Sequence, residues 1–232
     1  MASFDLPRRL VAEVLGTAIL VATVVGSGIM ATSLTGDTGL ALLGNTLATG
    51  AILVVLITIL GPISGAHFNP AVSLIFAMSR SLPKCELGGY VLAQFAGGAV
   101  GTVTAHLMFN LPLVELSSKV RTGGAQWFSE GVATFGLVAV ILAGIRFEQK
   151  AIPWLAGLYI TAGYWFTAST SFANPAVAFA RALTDTFSGI RPADLPGFWL
   201  AEIAGAVAAL LLFTWLLQPA KTSSTLSSEA KL

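Results

Sequence analysis

Polar residues interrupt this chain only at intervals, and the apolar runs between them are long. Six runs approach or exceed the ~20 residues that a helix needs to cross a bilayer core. They lie at roughly 10–31, 40–61, 87–109, 126–145, 153–170 and 195–217. Two further runs are shorter and share a start, Asn69-Pro70-Ala71 in one half and Asn174-Pro175-Ala176 in the other. Asn is a favoured helix N-cap and Pro a favoured first helical residue, so each tripeptide predicts a helix beginning there. Each continues for about ten apolar residues, a rise of roughly 15 Å and half a bilayer core. Polar residues return at Ser79-Arg80-Ser81 and at Asp185-Thr186.

The order of elements repeats. Each half has a span with an early Glu (Glu13, Glu130), a second span, a half-helix and a third span. Three spans per copy force the second copy to enter the membrane from the opposite side, an inverted repeat whose interrupted helices meet at the midplane. The expected organisation is a first repeat over 1–109 with a half-helix at 69–79, then a connecting loop over 110–125. A second repeat follows over 126–218 with a half-helix at 174–187, and then a disordered, Ser-rich cytoplasmic tail over 219–232. The fold class is an all-α membrane protein of six transmembrane helices plus two re-entrant half-helices.

Composition agrees: 55% of the 232 residues are hydrophobic and 10% charged, against about 25% charged in an ordinary soluble domain. A net charge of +1 offers nucleic acid no electrostatic footprint. The single cysteine, Cys85, excludes an internal disulfide and a multi-cysteine metal site. No cofactor and no metal are expected. An even number of spans puts both termini on one side, with Arg8, Arg9, Arg80, Lys84, Arg146, Lys150, Lys221 and Lys231. Lys119, Arg121, Arg181 and Arg191 fall on the other, so both termini are expected to be cytoplasmic.

Irregular backbone at membrane depth persists only where it is buried in protein or lines a water-filled cavity. Two positive helix ends facing each other there would repel cations and protons and leave neutral molecules alone. Asn69 and Asn174 would cap backbone N–H groups with the amide oxygen and turn amide donors toward the lumen. Glu13 and Glu130 are costly in a bilayer and need partners. Either they accept the amides of a re-entrant loop or they relay protons, and their matched positions favour the scaffold. His67 either lines the pore or is a satisfied buried histidine, and His106 reads as structural. Small residues such as Gly97 and Gly205 suit close helix packing.

SGAHFNPAVS and FANPAVAFAR, on a six-span inverted frame, resemble the two signature loops of the aquaporin and aquaglyceroporin family across nearly the whole chain. The resemblance implies the aquaporin fold, a passive channel and a homotetramer with one pore per subunit in lipid. An Arg usually follows the second signature tripeptide in that family; here the position is Val177, and the Asp of glycerol facilitators is replaced by Ala178. Counting without gaps, the remaining constriction positions fall on Thr49, Ala162 and Ser171, which implies a wider and less cationic opening. The combination resembles the AqpS-type channels encoded in bacterial arsenic-resistance operons. It implies an inner-membrane aquaglyceroporin passing arsenite, the neutral triol As(OH)3, and methylated arsenicals, with water and glycerol. Arg181, one turn beyond Val177, either faces the outer vestibule or pairs with Glu202. The competing readings are a general water and glycerol channel, a coupled secondary transporter, or an adhesion protein with a closed pore. An enzyme is not expected, since no nucleophile–base or metal cluster appears.

Overall fold

A computed structural model describes residues 4–219; the tail expected from 219 therefore lies, from 220, outside the described residues. Among the described residues the chain is helical, with no strand. α1 (Leu6–Leu34) starts where the Asp5 carboxylate accepts the Arg8 N–H. α2 (Thr38–Ser64) is capped in the same way by Asp37, runs through Pro62, and stops at Gly65, which takes φ 93°. There follow α3 (Pro70–Met78), α4 (Leu87–Met108), α5 (Gly124–Phe147), α6 (Ile152–Phe166), α7 (Pro175–Arg181) and α8 (Leu195–Leu216).

α1, α2, α4, α5 and α8 are each long and apolar enough to cross a membrane. α6 has 15 residues, about 22 Å, and a 3-10 turn at Gln149–Ala151 leads into it. It ends at Phe166, short of the 170 read from the sequence, because Thr167 turns extended with its N–H on Gly163 O. α7 likewise stops at Arg181, short of the expected 187. The carbonyls of Ala182 and Leu183 accept the Ser117 and Glu115 N–H groups of the connector between α4 and α5, so they no longer serve a helix.

α1 packs against α4 and α2, α5 against α8 and α6, and α2 against α6 joins the two halves. The crossings of α1 with α4 and of α5 with α8 are close for one reason. A Cβ on Gly97 would strike Val14 O, and one on Gly205 would strike Gly131 O. In a bilayer, such backbone approach supplies the van der Waals contact that hydrophobicity cannot. α3 and α7 enter from opposite faces and meet by their N-termini. We call the face where α1 begins and α8 ends the near face, and the face covered by the connector the far face.

Candidate functional site

Each half-helix begins as its sequence requires. Asn69 Oδ1 accepts the Ala71 and Val72 N–H groups at 2.9 and 3.4 Å, and Asn174 Oδ1 those of Ala176 and Val177 at 3.0 and 3.3 Å. The amide nitrogens then cross the midplane: Asn69 Nδ2 donates to Ala173 O at 2.7 Å and Asn174 Nδ2 to Phe68 O at 2.8 Å. One proton of each amide is thus spent on the opposite loop and one remains for the lumen. Pro70, Ala71, Pro175 and Ala176 form the buried first turns behind them.

The loops leading into the two Asn residues repeat each other in backbone shape. Gly65, Ala66 and Phe68 have φ of 93°, 50° and 50°, and Thr170, Ser171 and Ala173 have 72°, 49° and 48°. Left-handed backbone at non-glycine residues costs on the order of 1–3 kcal/mol each, so these loops need restraint. Glu13 and Glu130, both fully buried, provide it. Glu13 accepts Ser64 Oγ (2.7 Å), His67 N (3.0 Å), Phe68 N (2.7 Å) and Gln94 Nε2 (2.8 Å). Glu130 accepts Phe172 N at 3.2 Å and Ala173 N at 2.6 Å. The next amide, Asn174 N, goes to Glu202 Oε1 at 2.8 Å. A charge in the last span was the only sequence signal for that third carboxylate.

Between the half-helices lies a cavity of ≈ 790 Å³. Its near half is lined by His67 and Phe76, with Gln149 and Lys150 at the mouth; Asn69 and Asn174 stand in the middle. His67 Nδ1 shares a hydrogen bond with Ser73 Oγ at 3.0 Å, and its ring packs 4.5 Å from Phe76 beside the cavity. Towards the far face the lining becomes Thr49, Tyr164, Ser171 and Val177.

Ala162 is not among them. It lies on the exposed face of α6 with Trp154, Leu158 and Trp165, while Ala156, Ile160 and Tyr164 face the cavity. Ungapped counting missed by two positions because helical phase, not distance from Asn174, decides which α6 residue faces inward. Tyr164 is the residue that sequence reasoning overlooked. Thr49 Oγ1 donates to Asn45 O at 2.8 Å, so at the 3.2 Å contact between Tyr164 OH and Thr49 Oγ1 the phenol is the donor. Ser171 Oγ is buried, lines the cavity and has no protein partner.

Arg181 is 3% exposed. Its Nε donates to Ser188 O and its guanidinium lies 4.8 Å over the Phe172 ring. It forms no ion pair with Glu202, whose bonded oxygen is taken by Asn174 N. Sequence alone left that pairing open.

The connector packs over the far face beside this site. His106 Nε2 meets Thr184 Oγ1 at 2.7 Å, Arg191 N donates to Lys119 O at 2.8 Å, and Arg121 N to Asp194 Oδ2 at 2.8 Å. Arg121 Nη1 also reaches Ser169 O at 3.1 Å. The Ser118 amide and hydroxyl hold the Asp185 carboxyl below its ordinary value. Burial pulls Lys119 and Arg121 down from theirs. Among the described residues no group of three His, Cys, Asp or Glu could hold a metal.

Comparison with known proteins gives a consistent set. The family model described as major intrinsic protein matches residues 1–153. The chain is 70% identical over 221 residues to the aquaglyceroporin AqpS of Rhizobium meliloti (strain 1021), covering 95% of each. It is 30% identical to the probable aquaporin AqpM of Archaeoglobus fulgidus, covering 92% of this chain and 98% of that one. Among solved structures, the aquaglyceroporin from Plasmodium falciparum superposes with a TM-score of 0.65 at 26% identity, over 92% of this chain and 96% of that chain.

Proposed function

Because the chain belongs to the major intrinsic protein family, as an aquaglyceroporin channel for small solutes and not an enzyme, we propose that its solute is trivalent arsenic hydroxide. Arsenite near neutral pH is the uncharged triol As(OH)3, bulkier than water and rich in both donors and acceptors. Methylated arsenicals, glycerol and water follow by the same route. One observation carries the reading: the far end of the lumen is ringed by hydroxyls and one aliphatic side chain, Thr49, Tyr164, Ser171 and Val177. Among the described residues no cationic side chain lines it there. The partnerless Ser171 Oγ is a donor awaiting a solute oxygen, because a buried hydroxyl without a partner is costly. Resemblance to the arsenic-operon channels supports the same solute.

The remaining assignments belong to this proposal. Asn69 and Asn174 orient the solute at the midplane, and the two opposed helix N-termini disfavour cations there. Glu13 and Glu130 hold the loops and carry no transported proton. The working unit is a homotetramer in the bacterial inner membrane with both termini cytoplasmic.

Stopped-flow swelling of proteoliposomes with water, glycerol and arsenite tests it, for the native chain and for Val177→Arg. A guanidinium beside Ser171 narrows the ring, so the variant loses arsenite and glycerol flux before water flux. Equal arsenite flux in both proteins would remove the size argument. Native flux that requires a pH gradient would favour a coupled transporter instead.

A further inference from the structure

The internal symmetry of the chain assigns a place to Arg181 that the signature motif does not. Arg181 stands seven residues after Asn174, as Phe76 does after Asn69. Phe76 packs on His67 at 4.5 Å, and both line the near half of the lumen. Arg181 lies 4.8 Å over Phe172, the residue equivalent to His67, and Phe172 lines the lumen too. Long side chains on a helix lean toward its N-terminus. From the end of α7 the guanidinium therefore reaches back toward the level of Val177.

Only Nε of that guanidinium has a protein partner, the Ser188 carbonyl. The two terminal nitrogens make no hydrogen bond among the described residues, yet unlike Ser188 Oγ and Glu202 Oε2 they are not sealed from accessible space, in a residue that is 3% exposed overall. A buried donor fork left open is expensive unless something passes that can accept from it. Glu202 stands seven residues into α8 where Gln94 stands seven residues into α4. The second half thus exchanges Phe for Arg and Gln for Glu together, two ionisable side chains around a single loop. Arg121 holds the other end of that loop through Ser169 O and Thr170 Oγ1, where the first half uses Tyr90 OH on Ser64 O at 2.8 Å.

We propose that Arg181 is a specificity-determining residue just beyond the uncharged ring of Thr49, Tyr164, Ser171 and Val177, donating through its terminal nitrogens to the oxygens of neutral, oxygen-rich solutes as they cross the far side of Val177. Glu202, which accepts the Asn174 amide, and Arg121 are positioning residues for the loop. The proposal rests on the channel reading above and names the donor for its solute class.

The symmetry also supplies the test. Arg181→Phe with Glu202→Gln rebuilds the far loop from the residues the near loop already uses and leaves no unbalanced charge. Full-length protein is reconstituted, and stopped-flow rates for water, glycerol and arsenite are taken as ratios. The expected result is water flux within about twofold of native and glycerol and arsenite flux down about tenfold, the scale of losing hydrogen bonds from a charged donor. Arg181→Lys, which keeps a charge and a donor, falls between the two. A merely bracing arginine would scale all three solutes together or change none of them, and either result overturns the proposal. If the double variant does not assemble, the Arg181→Lys ratios decide, and unshifted ratios overturn it. Native protein that passes neither glycerol nor arsenite would sink the channel reading itself, a result visible before any variant is made.

Discussion

Glu13 offers the sharpest measure of what holds the re-entrant loops. Its carboxylate receives four donors at 2.7–3.0 Å, but they are not equally dependent on it. Gln94 Nε2 keeps Ser73 Oγ at 2.8 Å, and a hydroxyl such as that of Ser64 can turn. The amides of His67 and Phe68 cannot turn, and they belong to buried residues. Glu13→Ala strands both. At about 1–3 kcal/mol per orphaned buried amide, the loss is about 2–6 kcal/mol, with the strain at Ala66 and Phe68 no longer restrained. Glu13→Gln keeps one acceptor oxygen but presents an NH2 to the other amide, so about 1–3 kcal/mol is lost. Equilibrium unfolding of detergent-purified protein should rank native above Gln above Ala by these margins. Flux through the Gln variant should remain independent of a pH gradient. If Glu13→Ala unfolded within about 1 kcal/mol of native, the carboxylate would not be the loop's anchor. A new dependence of flux on proton gradient in either variant would revive a relay role.

Tyr164→Ala should raise the flux of polyols larger than glycerol relative to water, whereas Ala162→Leu should leave the solute ranking unchanged; a block by the Leu would return Ala162 to the constriction. Gly97→Val forces a side chain against Val14 O and should cost about 1–3 kcal/mol of stability, read as a lower thermal midpoint in detergent. Ser118 holds Asp185 below its ordinary value, so the group favours the docked connector above that value, 3.8. The contribution fades as pH falls through the depressed one. Protection of the Ser118 amide, its exchange rate taken relative to the intrinsic rate at each pH, should fall in acid in the native chain, and in Asp185→Asn it should be low at every pH.

The pattern of residues carried some of this structure and not the rest, for physical reasons. The half-helix starts were legible because an Asn cap and an N1 proline act on their own neighbours. Glu13 and Glu130 were legible because a buried carboxylate demands donors and the repeat offered the same donors twice. Tyr164 was hidden because the inward face of α6 depends on helical phase, and the left-handed backbone at Thr170 and Ser171 resets the path between α6 and α7. The end of α7 was hidden because the competing donors, Glu115 N and Ser117 N, come from a connector far away in sequence. The sequence left open whether Glu202 pairs with Arg181; it serves the Asn174 amide instead.

The crossed asparagines have a consequence for how such a chain can change over time. Asn69 grips a carbonyl that belongs to the second copy, and Asn174 grips one that belongs to the first. Neither copy is complete alone, since each keeps its partner's backbone in shape. A substitution in one loop is therefore felt in the other, and the two halves must drift as a couple. That mutual dependence would preserve a matching pair of tripeptides even as Phe gave way to Arg and Gln to Glu around only one of them.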